Sequence, residues 1–257
     1  MYLKKMICKI VTKVIEKKHQ FLYFLWLYKL KLNEFLSKDD NGRSAIVMFH
    51  HVRDDEAVEV LDSCKCTTKE FVEFCNLVSN NSRVVSLREL ITNIEQKSGN
   101  NMIVISFDDV PRNFYTTAYP ILKSYGFPFI LYITTGFLDK EDYLSFEQVR
   151  ELSKDPLCTI GCHTFSHPFL KHSTDLEREI ITCKNELEQL LDLTIKDFAY
   201  PYGTPTAINK DVVRYVSETN RYETGVITVP GFINSLSIKN RFALPRIHSK
   251  LFMKKYC

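Results

Sequence analysis

The fold is decided by residues 102–109, Met102-Ile103-Val104-Ile105-Ser106-Phe107-Asp108-Asp109. An apolar run of this length, rich in β-branched residues, predicts a strand buried on both faces, as in parallel sheets and barrels. Two carboxylates at its carboxyl end would stand where such folds place their chemistry. The same two residues could also begin a loop and cap the next helix. Adjacent carboxylates repel, and a cation or a proton between them relieves that cost.

A histidine pair offers further ligands for such a cation. His163 and His167 are four residues apart and follow a short apolar stretch, residues 157–162. At that spacing both imidazoles can project to one side of a helical turn and reach one metal ion. The spacing also arises by chance, so it gains weight only in combination. With Asp109 the pair would form a site of two histidines and one carboxylate that leaves positions open for water and substrate.

Five blocks of the chain, in order, resemble the polysaccharide deacetylases with a NodB-homology domain, which are carbohydrate esterases. Each block is weak alone, and the set together is specific. The resemblance covers roughly residues 45–249. The blocks are residues 48–52 (MFHHV), 106–109 (SFDD), 163–167 (HTFSH), 198–203 (FAYPYG) and 246–248 (RIH).

The resemblance implies an α/β fold, a distorted and incompletely closed (β/α) barrel of parallel strands. It implies a metal-dependent hydrolase that removes N-acetyl groups from an amino-sugar-containing glycan, which could be a polysaccharide, an oligosaccharide or a lipid-linked intermediate. The divalent ion, with Zn²⁺ as first choice, would be held by Asp109, His163 and His167. The expected partner is therefore an N-acetylated glycan, and no nucleic acid is expected.

The resemblance also implies roles for the remaining site residues. Asp108 would be the general base and His248 the general acid, while the backbone N–H of Tyr202 would hold the oxyanion. Tyr202 and Pro201 would contact the substrate. His50 and His51 stand near the expected mouth, where core packing or substrate contact is the expected role.

One position departs from the family pattern. Many members carry an arginine in the third block that positions the base, and this chain has Ala199 there. Some other group must then orient Asp108. Arg246 and Arg112 are the two candidates.

The basic charge of the chain lies in its first 43 residues, which hold ten Lys or Arg against four Asp or Glu, a net of +6 within a total of +3. This leader has helical apolar periodicity with a lysine face. It continues into an aromatic stretch at residues 21–28 that is too short to span a bilayer. No cleavable signal peptide is recognised, which predicts a cytoplasmic protein. The leader could lie on an anionic membrane surface, or pack on a domain formed by residues 44–257.

Eight cysteines do not suggest a disulfide framework, because Cys158, Cys162 and Cys183 fall in apolar segments where cysteine behaves as a small hydrophobe. Reduced thiols are the simpler expectation. Residues 64–75 contain three cysteines that could bind a second metal, but their spacing fits no structural zinc pattern well.

Two other classes of protein remain open. A non-haem iron oxygenase can use the same two-histidine, one-carboxylate set, although the alternation of strand-like and helix-like segments argues against an all-β fold. A catalytically silent carbohydrate-binding protein could keep the fold. The presence of both Asp108 and His248 argues for catalysis.

Overall fold

The computed structural model describes residues 44–54, 64–98 and 100–256 of the 257-residue chain. The predicted leader helix, residues 1–43, and its boundary with the following domain lie outside the described residues. None of the helices in the described ranges combines the length and the hydrophobicity needed to cross a membrane.

Two sheets are present in the described residues, and every strand pairing within them is parallel. The large sheet has eight strands in the order β10-β1-β5-β6-β7-β8-β9, with β4 also pairing with β5, and the small sheet joins β2 to β3. The strands are β1 (Ala45–Phe49), β2 (His51–Val52), β3 (Lys65–Cys66), β4 (Arg83–Val84), β5 (Met102–Asp108), β6 (Phe129–Ile133), β7 (Cys158–Cys162), β8 (Asp197–Ala199), β9 (Thr224–Val226) and β10 (Ile247–His248).

Strand β5 is central, and all seven of its residues are buried. Alternate side chains enter two different cores, as the two-residue period of a strand requires. Val104 packs in an inner cluster with Ile46 and Ile130, whereas Ile105 and Phe107 belong to the larger outer cluster. The predicted buried strand is therefore confirmed, and it extends to Asp108.

The two ends of the large sheet approach each other without forming a full ladder. The Leu244 N–H donates to the Gly225 carbonyl at 2.8 Å, and the Arg246 N–H donates to the Val229 carbonyl at 3.2 Å. Two residues of β10 then pair with β1. The sheet is thus a parallel, incompletely closed barrel, as predicted.

The described residues contain eight α-helices, seven between strands and one after the last strand, and their apolar residues join the outer cluster or the inner one. They are α1 (Thr68–Asn81), α2 (Leu87–Glu95), α3 (Tyr119–Tyr125), α4 (Phe146–Leu152), α5 (Cys183–Leu191), α6 (Lys210–Glu218), α7 (Ser235–Ile238) and α8 (Ser249–Tyr256).

Two helices begin with a wider turn than the sequence periodicity predicts. A π-helical segment, Phe114–Ala118, precedes α3, and another, Glu177–Thr182, precedes α5. Pro120 lies within a helical stretch that is continuous over residues 112–125, so the predicted late start is wrong, and the wider turn just before Pro120 accommodates its missing N–H. The predicted capping box of α4 is present between Ser145 and Gln148.

Candidate active site

The acidic pair is split by a backbone turn at the end of β5. Asp108 is the last residue of the strand and pairs with Tyr132 of β6. Asp109 and Val110 both have positive φ, +58° and +45°, and the Val110 N–H donates back to the Asp108 carbonyl at 2.6 Å. A β-branched residue at positive φ is strained. The turn gives the two neighbouring carboxylates different partners.

Asp108 is held by a buried arginine inside the barrel. Its two oxygens each accept a hydrogen bond of 2.6 Å from the Arg246 guanidinium, and the two side chains are 2% and 0% exposed. Arg246 Nε also donates to the Ile227 carbonyl at 3.3 Å. Burial alone would raise the pKa of Asp108, but the charge and hydrogen bonds of Arg246 hold it well below the usual range. Arg246 therefore orients Asp108, whereas the other candidate, Arg112, is exposed.

The histidine pair lies on a loop, so the predicted helical turn is wrong. The loop follows β7, and its residues Thr164 and His167 have φ of +68° and +58°. The His163 Nδ1–H donates to the Ala199 carbonyl at 2.8 Å, which leaves Nε2 to face the carboxylates. Ala199, at the position of the family arginine, thus supports a histidine instead.

A buried glutamate from the π-helical segment before α5 holds this loop in place. Glu179 accepts hydrogen bonds from the N–H groups of Phe165 and Ser166 at 3.0 and 2.9 Å, and from the Ser166 hydroxyl at 2.6 Å. This role could not be predicted from the sequence, because Glu179 looks like one more polar residue of an amphipathic helix. Its partners lie 13 and 14 positions away in the chain.

Replacing Glu179 with alanine should destabilise the histidine loop. Two backbone N–H groups would lose their acceptor, and each unsatisfied buried group costs about 1–3 kcal/mol. We expect a lower midpoint of thermal unfolding and weaker Zn²⁺ binding in the variant. Glu177→Ala is the control, since that side chain is exposed and, within the described part of the chain, accepts a hydrogen bond only from Tyr215. Equal effects of the two substitutions on Zn²⁺ binding would show that Glu179 does not position the loop.

Asp109 lies between the two imidazoles. Its Oδ1 is 3.7 Å from His163 Nε2 and 3.4 Å from His167 Nε2, and the three ligand atoms lie within 4.8 Å of one another. Two atoms bound to one tetrahedral ion at about 2.0–2.1 Å are roughly 3.3 Å apart, so these separations fit a shared cation. Asp109 Oδ1 is buried and has no hydrogen-bond partner among the described residues. A cation bound directly to this oxygen would compensate for the missing hydrogen bond.

The ionisation of these groups also suits a cation. Burial and the neighbouring Asp108 charge raise the pKa of Asp109 to about 7. Burial lowers the pKa of His163 to about 3 and lowers that of His167, so both imidazoles are neutral at neutral pH and able to act as ligands. The residues present therefore fit a divalent ion.

Aromatic side chains form the rim beside this cluster. The Tyr202 ring is 4.6 Å from the His167 ring and stacks on Phe169 at 4.3 Å, with Tyr202 and Phe169 45% and 44% exposed. Tyr202 has a φ of +59°, and the hydrogen bonds of the described residues leave its N–H without an acceptor. Pro201 is buried beneath, and its carbonyl accepts the Gly203 N–H at 2.7 Å.

His248 reaches the same end of the barrel through β10, which pairs Met48 with His248. Its ring stacks on His50 with a centroid distance of 6.0 Å. Burial and the charge of Arg246 lower the pKa of His248, while the charge of Asp108 opposes this effect. The structure thus brings Asp108, Asp109, His163 and His167 together, and the Tyr202 ring lies against His167. His248 lies beside His50 at the same end of the barrel.

Comparisons with known proteins agree with this architecture. A family model described as polysaccharide deacetylase matches residues 95–223. A putative polysaccharide deacetylase of Bacillus subtilis is 24% identical over 202 residues, which cover 77% of this chain and 68% of the relative. Poly-beta-1,6-N-acetyl-D-glucosamine N-deacetylase of Staphylococcus aureus is 30% identical over 143 residues, which cover 49% of each chain. The chain therefore matches about half the length of that relative.

The fold is shared with solved structures. A putative polysaccharide deacetylase from Bacillus anthracis superposes with a TM-score of 0.73 at 19% identity, covering 84% of this chain and 70% of the other. Because the family model matches half of the sequence, the chain belongs to the polysaccharide deacetylase family. It is an enzyme of the class that hydrolyses linear amides, as the resemblance implied.

Proposed function

We propose that this protein is a metal-dependent hydrolase that removes N-acetyl groups from an amino-sugar-containing glycan. The observation that carries the proposal is the convergence of Asp109, His163 and His167, whose ligand atoms lie within 4.8 Å of one another. Family membership supports deacetylation. The parallel α/β barrel also differs from the all-β fold expected for the rival non-haem iron oxygenase.

In this proposal Asp109, His163 and His167 hold the divalent ion, with Zn²⁺ as first choice for two imidazoles and a carboxylate. When bound, such an ion lowers the pKa of a water molecule and polarises a carbonyl group. Asp108 stays off the cluster, since Arg246 occupies both of its oxygens. It takes the proton of the attacking water as general base, with Arg246 fixing its orientation.

The remaining roles fall to residues on the rim. The Tyr202 N–H would hold the oxyanion of the tetrahedral intermediate, because it is a donor without an acceptor among the described residues. His248 would give a proton to the leaving amine. The exposed ring of Tyr202 would contact a sugar face, supported from beneath by Pro201.

The named relatives suggest which glycan to test first. Acetate release should be measured from oligomers of β-1,6-linked N-acetylglucosamine, from β-1,4-linked oligomers and from a non-sugar acetamide. Each assay should use metal-stripped protein and the same protein restored with Zn²⁺. We expect release only after restoration, and only from the sugars. Acetate release from any of these glycans would exclude the non-catalytic carbohydrate-binding alternative, and no release from the restored protein would contradict the proposed activity.

Metal affinity should depend on pH through Asp109. The pKa of Asp109 is about 7 in the metal-free protein. Below pH 7 a cation must therefore displace the Asp109 proton in order to bind, whereas above pH 7 the carboxylate is already ionised. We therefore expect Zn²⁺ affinity to fall by up to about tenfold per pH unit below 7 and to level off above it. Competition with a chromophoric chelator on both sides of pH 7 measures this. A flat profile across pH 7 would show that Asp109 carries no proton for the cation to displace in this range.

We also propose that the leader holds the enzyme at the inner face of an anionic membrane. The leader carries a net charge of +6, and each lysine near such a surface contributes about 1 kcal/mol. Deleting residues 1–43 should abolish salt-sensitive binding to anionic vesicles while activity on small soluble substrates persists. If the deletion unfolds the domain, the leader is packed core instead.

A further inference from the structure

A second group of metal-ligand atoms lies at the mouth of the barrel. His50, Cys64 and His248 each offer one such atom, and the three atoms lie within 4.8 Å of one another. The group is separate from Asp109, His163 and His167, and it shares only His248 with the proposed catalytic machinery. The sequence pointed instead to Cys64 with Cys66 and Cys75, but those two thiols are buried in the outer core.

Two strand pairings bring these three residues together from distant parts of the chain. The pairing of β1 with β10 sets His248 beside Met48, two residues before His50. The pairing of β2 with β3 sets His51 beside Lys65, so the preceding residues, His50 and Cys64, are also neighbours. Paired strands therefore position both His248 and Cys64 next to His50.

Each of the two histidines also has a ring nitrogen that is buried and, within the described part of the chain, without a hydrogen-bond partner. These two atoms are His50 Nδ1 and His248 Nε2. Their rings are nearly parallel, with an interplanar angle of 17° and a centroid distance of 6.0 Å. A buried polar atom without a partner is destabilising, and a cation bound by such a nitrogen would remove that cost.

We propose that His50, Cys64 and His248 form an inhibitory binding site for a second, thiophilic divalent cation, for which Zn²⁺ is the probe. Two imidazoles and one thiolate are a zinc donor set. The Cys64 thiol loses its proton to solvent when the ion binds. The bound ion occupies a ring nitrogen of His248, so that histidine can no longer pass a proton to the leaving amine. Excess Zn²⁺ therefore inhibits the enzyme that the first equivalent activates.

The site can be tested by spectroscopy, which requires no catalysis. Full-length protein titrated with Co²⁺ should show a thiolate-to-cobalt charge-transfer band in the near ultraviolet. Cys64→Ser should lose the band, whereas Cys158→Ser, in strand β7, should keep it. A variant without the proposed catalytic ligands, Asp109→Ala with His163→Ala, should also keep it. No band in the wild-type protein, or a band that persists in Cys64→Ser, overturns the proposal.

Inhibition is tested by an activity titration and rests on the proposed deacetylase function. Cys64→Ser should match the wild-type rate at one equivalent of Zn²⁺, because Cys64 is not part of the catalytic group. Loss of a hydrogen bond that supports a metal ligand weakens metal binding by roughly 10–100-fold. Cys64→Ser removes a ligand itself, so it should raise the inhibitory Zn²⁺ concentration by more than that. Equal inhibition of both proteins would refute the regulatory role. If the deacetylase proposal fails, no acetate is released, and the cobalt band still reports on the second site.

Discussion

Replacing Asp108 with asparagine should lower kcat/KM by about 10²–10⁴-fold, the contribution of a general base. Asparagine keeps one oxygen that can accept from Arg246 and removes the group that takes the proton from water. It also leaves the buried guanidinium without a counter-charge, so a loss of about 3–5 kcal/mol in the free energy of unfolding should accompany the loss of activity. The metal-binding residues are untouched, so the variant should still bind Zn²⁺ with wild-type stoichiometry. Steady-state kinetics with Zn²⁺ analysis on the same samples measures both quantities.

Asp142→Asn is the matched control for this substitution. Asp142 is an exposed aspartate whose backbone carbonyl accepts the Arg112 N–H at 2.8 Å, so its side chain is dispensable for that contact. Its replacement should leave kcat/KM within about twofold of wild type, as expected for a change away from the reacting groups. Full activity in Asp108→Asn would show that Asp108 is not the base.

The central strand and the acidic pair could be predicted because their signal is local. Six consecutive apolar or small residues, 102–107, predict a buried strand, and the structure buries these six together with Asp108. The parallel sheet then places its strand ends together at one edge, so the histidines after β7 had to lie near β5. Local pattern and topology together were enough to predict this neighbourhood.

The shape of the histidine loop could not be predicted in this way. A spacing of four residues suits a helical turn, but it suits equally a loop in which Thr164 and His167 have positive φ. A threonine or a histidine in the sequence does not by itself predict a positive φ. The buried carboxylate of Glu179 stabilises the loop from outside the motif, and only the tertiary structure shows this contact.

The role of Arg246 was predicted only as one of two alternatives. The departure at Ala199 showed that an arginine was missing, but a sequence does not show which remaining arginine can reach Asp108. The structure settles the choice through burial, since a guanidinium that is 0% exposed requires a carboxylate partner. Gly161 contributes to the space available, because a Cβ there would lie 2.5 Å from the Tyr132 ring over which Arg246 sits.

Replacing Arg246 with methionine should therefore destabilise the fold as well as the site. Breaking a buried ion pair by removing one partner costs about 3–5 kcal/mol, since the remaining charge is buried without compensation. We expect this loss in the free energy of unfolding measured by urea titration at neutral pH, together with a fall in kcat. Arg241→Met is the control, because Arg241 is partly exposed and pairs with Glu95 at the surface. It should cost less than about 1 kcal/mol.

The pH dependence separates loss of the ion pair from simple loss of packing. In the wild-type protein the lowered pKa of Asp108 contributes stability above about pH 4, which is lost as the pH falls through the folded-state pKa. Without Arg246, burial raises the pKa of Asp108. In the Arg246→Met variant Asp108 therefore takes up a proton as the pH falls, which removes the uncompensated buried charge. The deficit of this variant relative to wild type should therefore be largest near neutral pH and shrink towards about pH 4.

Adding Asp108→Asn to Arg246→Met should recover part of the lost stability at neutral pH, because no buried charge remains. A deficit that is constant with pH and is not reduced in the double variant would mean that Arg246 acts through packing alone.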